Sequence, residues 1–407
     1  MKVYLDNAAS TKAYPDVAKT VYHMLTENYA NPSALHTAGQ DAEKILKISR
    51  RQIALSLGVK AENIVFTSGG TEANNLALFS AFYSSAAKKK TLFLSSIEHP
   101  AVKNAAIKLA SQGIQVKEIP IFKIGSERPG GVDIKSFRSM LDENIGLISI
   151  MHVNNEIGTI QPISELSKIV KEYADNKGIK IPIHSDAVQS YGKIPVDANR
   201  GTFQGVDFIS MSAHKFHGPK GVGALYAANP EKLHPMIFGG GQENGIRSGT
   251  ENVPGIAGFS VAVKNSSEDL LANAKQANAC RRRLLEGITA EIQHISINSP
   301  VDASVTGKPY NCSPFILNIS FIGTRGEVIL HDMEKDGVYV STGAACSSNK
   351  SGGGGTSVLE KLGLKKGNEE GAIRFSFSHF NTVEEMDYAV EVLKKTVARF
   401  RRIGSLR

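Results

Sequence analysis

The sequence predicts an α/β protein: a large unit built on a mainly parallel seven-stranded sheet, joined to a smaller α+β unit. Three observations predict it. Short β-rich apolar runs alternate with longer amphipathic runs from residue 36 to about residue 227, as in successive βαβ units. After about residue 260 the alternation gives way to one long charged run and then to mixed elements. The chain is 407 residues long, 41% hydrophobic and 21% charged, which supplies apolar material for about two or three domains and excludes disordered and fibrous classes.

The elements follow in order. A helix over 36–56 precedes the first strand, 64–68. Helix 72–87 leads to strand 91–97, helix 101–112 to strand 115–121, and helix 134–144 to strand 146–153. Helix 163–176 precedes strands 180–185, 207–212 and 223–227. Beyond them come a long charged helix at 269–292, a strand at 316–321 and a helix at 326–336. Strands at 338–341 and 372–378 and a helix at 383–401 complete the chain. A boundary near residue 262 makes 14–262 the large unit and 1–13 with 263–407 the small one. Ser351-Gly352-Gly353-Gly354-Gly355 is the single low-complexity stretch and reads as a flexible loop, part of a mobile segment over about 342–357.

Composition narrows the class further. No run of 18 apolar residues occurs, and the start, MKVYLDNAAS, has no apolar signal-peptide region. Cys280, Cys312 and Cys346 form neither a disulfide framework nor a C-x-x-C zinc pattern. The expected address is the cytoplasm, with reduced thiols and no membrane contact. The net charge is +8, with basic residues spread along the chain and local clusters at Lys88-Lys89-Lys90, Arg281-Arg282-Arg283 and the C-terminal arginines. None lies in a nucleic-acid motif, so a solvated helix face or an acidic protein partner is the better reading, with no direct nucleic-acid binding expected.

In an open α/β sheet, ligands sit beyond the carboxyl ends of the strands. The expected strand ends deliver Gly69-Gly70-Thr71, Glu98-His99, Asn154-Asn155-Glu156, Asp186 with Gln189, and His214-Lys215. Gly69-Gly70-Thr71 opens a helix, which suits an anion at the helix N-terminus; a tight turn with Thr71 as N-cap fits equally well. Neither this segment nor Gly218-Pro219-Lys220-Gly221 matches a P-loop. Asp186 at a strand end suits a buried cationic nitrogen such as a pyridinium, or a helix cap. Lys215 follows an apolar strand, where burial makes an amine nucleophilic; Lys220, inside a Gly-Pro turn, is the competing and more exposed lysine.

Together these residues resemble the class V aminotransferase group of pyridoxal-phosphate enzymes, and within it cysteine desulfurases of the NifS/IscS type. The resemblance runs in register along almost the whole chain. It includes Tyr4-Leu5-Asp6-Asn7-Ala8-Ala9, Asn31-Pro32-Ser33 with His36, and Phe66 through Leu76. Glu98-His99, Val153 through Gly158, His184 through Gln189, the His214-Lys215 block and Gly239 through Asn252 continue it. It implies a fold-type I transferase with pyridoxal 5′-phosphate as cofactor. It further implies that Lys215 carries the cofactor and moves the substrate Cα proton, that Asp186 holds the ring nitrogen, and that Gln189 holds the ring oxygen. His99 would stack on the ring and act as acid or base. Gly70, Thr71, Ser212 and His214 would cradle the phosphate, and Thr250 would reach the phosphate of a partner subunit in a homodimer. Asn155 would serve both cofactor and substrate, and Arg374 would bind the substrate carboxylate, as a guanidinium does bidentately.

Cys346 selects the reaction. It stands in Ser341-Thr342-Gly343-Ala344-Ala345-Cys346-Ser347-Ser348, which resembles the family's S-x-G-x-A-C loop. A buried small hydrophobe is the plain reading of such a cysteine. The resemblance implies instead a thiol that takes sulfur from L-cysteine, leaving L-alanine and a persulfide. That sulfur would pass to an iron–sulfur scaffold protein or a tRNA-thiolation relay, with Cys346 also a transient iron–sulfur ligand. Cys280, beside three arginines, is a candidate for a lowered pKa, and Cys312 reads as a strand-edge residue. Ser378-His379 and Gly352–Gly355 depart from the family pattern, at the pocket edge and in the Cys loop. The alternatives are another lyase or aminotransferase of the same fold, such as a selenocysteine or cystine lyase, and a catalytically impaired scaffold.

Overall fold

The computed structural model describes residues 1–83, 90–301, 312–342, 357–365 and 367–404. The chain begins with β1 (Val3–Tyr4), α1 (Pro15–Thr26), α2 (Thr37–Ser56), β2 (Ile64–Thr67) and α3 (Gly70–Tyr83). Next come β3 (Thr91–Ser95), α4 (Pro100–Ala110), β4 (Gln115–Ile119), α5 (Ile134–Met140) and β5 (Ile145–Ser149). α6 (Ile163–Lys177), β6 (Ile183–Asp186), β7 (Phe208–Ser212) and β8 (Gly223–Ala227) follow. The rest is α7 (Val253–Glu268), α8 (Leu270–Glu291), β9 (Ile295–Ile297), β10 (Ile316–Phe321) and α9 (Gly326–Lys335), then β11 (Val338–Tyr339), α10 (Val358–Lys361), β12 (Ala372–Ser376) and α11 (Val383–Gly404).

Strands β3 and β5 read TLFLS and IGLIS and are buried at every position. Such continuous burial belongs to a parallel sheet covered on both faces. The sheet has seven strands in the order β2-β8-β7-β6-β5-β3-β4. Pairings from β7 to β4 are parallel, while β8 lies antiparallel to both β2 and β7. Thus β8 alone is reversed, and β2 delivers its carboxyl end to the same edge as β3, β5, β6 and β7. One face is filled by residues such as Phe93, Ile148, Ile209 and Phe216, a core that runs on to Ala262 and Val263 of α7. The other face packs Leu76, Leu92, Leu147 and Leu225.

A second apolar core joins Val3, Leu5 and Ala8 to α8, α9, α11 and the three-stranded antiparallel sheet β12-β10-β9. The first strand belongs to this part because β1 pairs in parallel with β11. From there the chain crosses toward the large sheet. Asn7 Nδ2 donates to Ser376 O at 2.9 Å, and Thr11 Oγ1 donates to His214 O at 2.9 Å. Residues 7–11 therefore strap the end of β12 to the turn after β7.

Helices α1 and α7 are not among the elements expected from the sequence, although α1 is amphipathic. On α1 only Val17 and Met24 are buried, while Tyr22 and Leu25 are exposed. α7 contains Gly255 and Gly258, residues that ordinarily weaken a helix. Here Gly258 permits close packing: a Cβ on it would lie 2.7 Å from Val21 Cγ2. The expectation that Arg281-Arg282-Arg283 forms a solvated face holds for its exposed members only. Arg281 is 2% exposed and donates to the carbonyls of Pro300, Val301 and Ile316.

Candidate active site

The strand ends bring the expected residues together. Asp186 closes β6 and is buried. Its Oδ1 accepts from the Val188 amide at 2.9 Å and its Oδ2 from Asn74 Nδ2 at 2.7 Å. Asn74 projects from α3, which starts at Gly70; Thr71 is its second residue and not its N-cap. A Cβ on Gly70 would lie 2.5 Å from Val188 Cγ2 and 3.5 Å from Ser212 Cβ. Only glycine lets the start of α3 pack this close to Val188, beside Ser212, and the first amides of α3 form an anion-binding end.

Lys215 lies in the short 3-10 turn, Ala213–Lys215, that follows β7. Its Nζ donates to the carbonyls of Ala8 and Ala9, both at 2.9 Å. Gln189 Nε2 donates to the same Ala8 oxygen at 2.8 Å. His214 is bonded through Nδ1 to Ser10 Oγ at 3.2 Å, and burial and then Lys215 push its pKa down to about 4. The strap of residues 7–11 thus fixes the lysine, the glutamine and the histidine at once. Lys220 is exposed, as its turn implies.

His99 caps α4: its Nδ1 accepts from the Ala101 amide at 3.1 Å. The neutral ring therefore carries its proton on Nε2. Burial holds its pKa below the usual value; Asp186 opposes this shift and Lys215 adds to it. The preceding Glu98 is buried and accepts through Oε1 from the Met151 amide and Ser95 Oγ, both at 2.7 Å. Its Oε2 has no partner among the described residues, and burial raises its pKa to about 8, so it is protonated at neutral pH.

Arg374, on β12, is 7% exposed. Its Nη2 donates to Asp6 Oδ1 at 2.8 Å and its Nη1 to Asn155 O at 3.0 Å, while its Nε is buried without a partner among the described residues. Thr250 is exposed, on a loop with Gly249 and Arg247, and Arg247 pairs with Glu72 of α3. His379 packs on Tyr14, His217 and Phe380, with ring centroids 5.5, 4.8 and 4.1 Å away. It touches the turn after Lys215 through His217. Cys346 and Gly352–Gly355 lie outside the described residues.

The other two cysteines are structural. Cys280 is fully buried, its thiol donates to Asn381 O, and burial followed by Glu385 and Glu384 raises its pKa to about 11. The three arginines do not activate it, because Arg281 is turned to backbone carbonyls. Cys312 is also buried and pairs with Thr159 in an isolated bridge.

A family model described as aminotransferase class-V matches residues 3–389. The chain belongs to the class-V aminotransferase family. Its similarity to curated members spans the full length. It is 38% identical to "Cysteine desulfurase IscS" of Dictyoglomus turgidum, covering 99% of this chain and 96% of that one. It is 36% identical to the protein of the same name from Clostridium botulinum, over 100% and 96% of the two chains. A solved structure described as a NifS-like protein superposes with a TM-score of 0.87 at 35% identity, covering 98% of this chain and all of that one. Another, "SspA in complex with cysteine", gives 0.76 at 31% identity over 94% and 100%.

Class-V aminotransferases are pyridoxal-phosphate enzymes, and this chain is one. Its residues fit the group. A glycine cradle at a helix end faces Ser212, a carboxylate is held at a strand end, and a lysine follows the next strand. Sequence reasoning gave no role to Asn74, Asp6 or Lys193, nor to the carbonyls of Ala8 and Ala9. Asn74 carried a weak signal, since it stands one helical turn after the Gly70 cradle.

Proposed function

We propose that this enzyme is a cysteine desulfurase: it removes sulfur from L-cysteine, leaving L-alanine and a persulfide on Cys346. The observation that carries this reading is the pairing of Arg374 with Ser341. Their backbones bond in both directions, at 2.7 and 3.2 Å. Cys346 follows Thr342 by four residues in the sequence, so a short length of chain separates it from Ser341, the residue paired with the arginine best suited to an amino-acid carboxylate. The relatives named cysteine desulfurase support the same substrate.

Each residue has a task in this account. Arg374 and Asn155 hold the substrate carboxylate. The α3 amides at Gly70 and Thr71, with Ser212 and His214, hold the cofactor phosphate, and Thr250 reaches the phosphate of a second subunit. Asp186, fixed by Asn74, holds the ring nitrogen; Gln189 holds the ring oxygen. Bound pyridoxal phosphate supplies an electron sink for the charge left at the substrate Cα. Lys215 receives the Cα proton. His99 covers the site and passes a proton through Nε2. The Cys346 thiolate attacks the substrate sulfur, an S–S bond forms as the Cβ–S bond breaks, the released electron pair takes up a proton at Cβ, and Lys215 returns a proton to Cα to give alanine.

The same reading makes the protein a homodimer that hands sulfur to an iron–sulfur scaffold or relay protein in the cytoplasm. The exposed Tyr22, Leu25, Tyr29 and Leu35 support an interface with a second copy. No helix among the described residues is long and apolar enough to cross a membrane. The chain is organised as a large unit of residues 14–262 and a small unit of 1–13 with 263–407. The test is product analysis with L-cysteine, with and without a 2-oxo acid. Alanine formation without the 2-oxo acid is expected; a strict requirement for it would replace this reading with transamination.

A further inference from the structure

Lys193 is 6% exposed and stands in the turn after Gln189. Its Nζ donates to Gln189 Oε1 at 3.0 Å and stands 5.9 Å from the Phe315 ring centroid. No carboxylate among the described residues pairs with it. The charged and titratable groups that face it are Lys215, His214 and His217 from the turn after β7 and Arg374 from β12. A buried lysine among cations is costly, so it needs a reason to be there. Burial first, then Lys215 and Arg374, lower its pKa to about 7.

The contacts around it form an unbroken chain. Lys193 Nζ donates to Gln189 Oε1, Gln189 Nε2 donates to Ala8 O, and Lys215 Nζ donates to the same Ala8 O. A carboxamide can present either its oxygen or its NH2 edge to a neighbour. With a lysine donating from behind, the oxygen faces back, and the NH2 faces forward to Ala8 O.

We propose that Lys193 is a positioning residue of the cofactor site: it holds the Gln189 carboxamide by its oxygen, so that the NH2 edge faces forward to Ala8 O, the carbonyl that Lys215 Nζ also meets. The proposal rests on the cofactor reading and is independent of what substrate the enzyme takes. An NH2 donor held on the ring oxygen competes with the protonated Lys215 nitrogen for that oxygen and so lowers the nitrogen's proton affinity; losing the fixed donor moves the midpoint upward.

The experiment is a pH titration of the visible absorption band of the holoenzyme, without substrate, for wild type and Lys193→Met, Lys193→Gln and Lys193→Arg. Lys193→Met and Lys193→Gln should raise the midpoint by about one pH unit, a tenfold change in proton affinity, and Lys193→Arg should restore it. Lys193→Gln is shorter and can accept as well as donate, so it no longer fixes the Gln189 edge, and it decides the matter if Lys193→Met does not fold. An unshifted midpoint in folded Lys193→Gln would overturn the proposal. A wild-type protein that shows no cofactor band at all would overturn the cofactor reading itself.

Discussion

Asn74 Nδ2 donates to Asp186 Oδ2 at 2.7 Å, so a residue of the first helix after the glycine cradle holds the carboxylate at the end of β6. Asp186 Oδ1 is held separately by the Val188 amide, which leaves the carboxylate one orientation. Asn74→Ala removes the tether and one buried hydrogen bond to a charged group, costing about 1.5–3 kcal/mol of stability. It should also weaken cofactor binding by about tenfold, because Asp186 loses its fixed geometry. Equilibrium dialysis of the cofactor and a thermal melt check both effects. Asn74→Asp should bind cofactor less well than Asn74→Ala, since two adjacent carboxyls raise each other's proton affinity.

His99 has two separable tasks. Its Nδ1 caps α4, and its ring stands near Asp186 and Lys215. An asparagine side chain is a good cap without a ring, so His99→Asn should keep the melting temperature while turnover falls about a hundredfold or more. His99→Ala should lose both, with about 1 kcal/mol of stability gone. Equal turnover in wild type and His99→Asn would leave the imidazole with the capping role alone.

Glu98 makes stability depend on pH with a definite sign. Burial raises its folded pKa from 4.5 to about 8. Between those values the native state holds a proton that the unfolded state releases, so its contribution falls as pH rises through that window. Glu98→Gln removes the dependence. Denaturation of both proteins at pH 5 and pH 8 should show the variant gaining on wild type at the higher pH. A constant difference at the two pH values would contradict a protonated Glu98.

Arg374 uses both Nη atoms, on Asp6 and on the Asn155 carbonyl. Lysine cannot reproduce two directed bonds from one planar group. Arg374→Lys should raise KM for L-cysteine by about tenfold or more, with a smaller fall in kcat. Asp6→Asn weakens the hold on the guanidinium while leaving its charge, so its effect on KM should be milder. Steady-state kinetics on the two variants separates them.

Much of this was legible in the sequence because strand ends carry their residues by position. Residues 91–95, 145–149 and 208–212 are apolar runs that lead into Glu98-His99, Asn155 and His214-Lys215. What escaped has physical causes. The reversal of β8 leaves no mark, since a buried strand reads the same in either direction. α7 hides behind Gly255, which packs under its own N-cap Asn252, and Gly258, which packs against Val21 of α1. Asn74 and Lys193 act by reaching across elements, and no local spacing records that. Arg281 looked solvated as one of three arginines, but its carbonyl partners lie in segments remote in sequence.

The central claim is that Lys215 and Cys346 act in one reaction on L-cysteine. The most direct measurement is a single turnover with L-cysteine, following alanine release and the mass of the Cys346 peptide in wild type, Cys346→Ala and Lys215→Ala. The account predicts alanine together with a gain of one sulfur on Cys346 in wild type, and neither in the two variants. Alanine and free sulfide released by Cys346→Ala at the wild-type rate would contradict it, and the enzyme would then be a lyase that needs no persulfide.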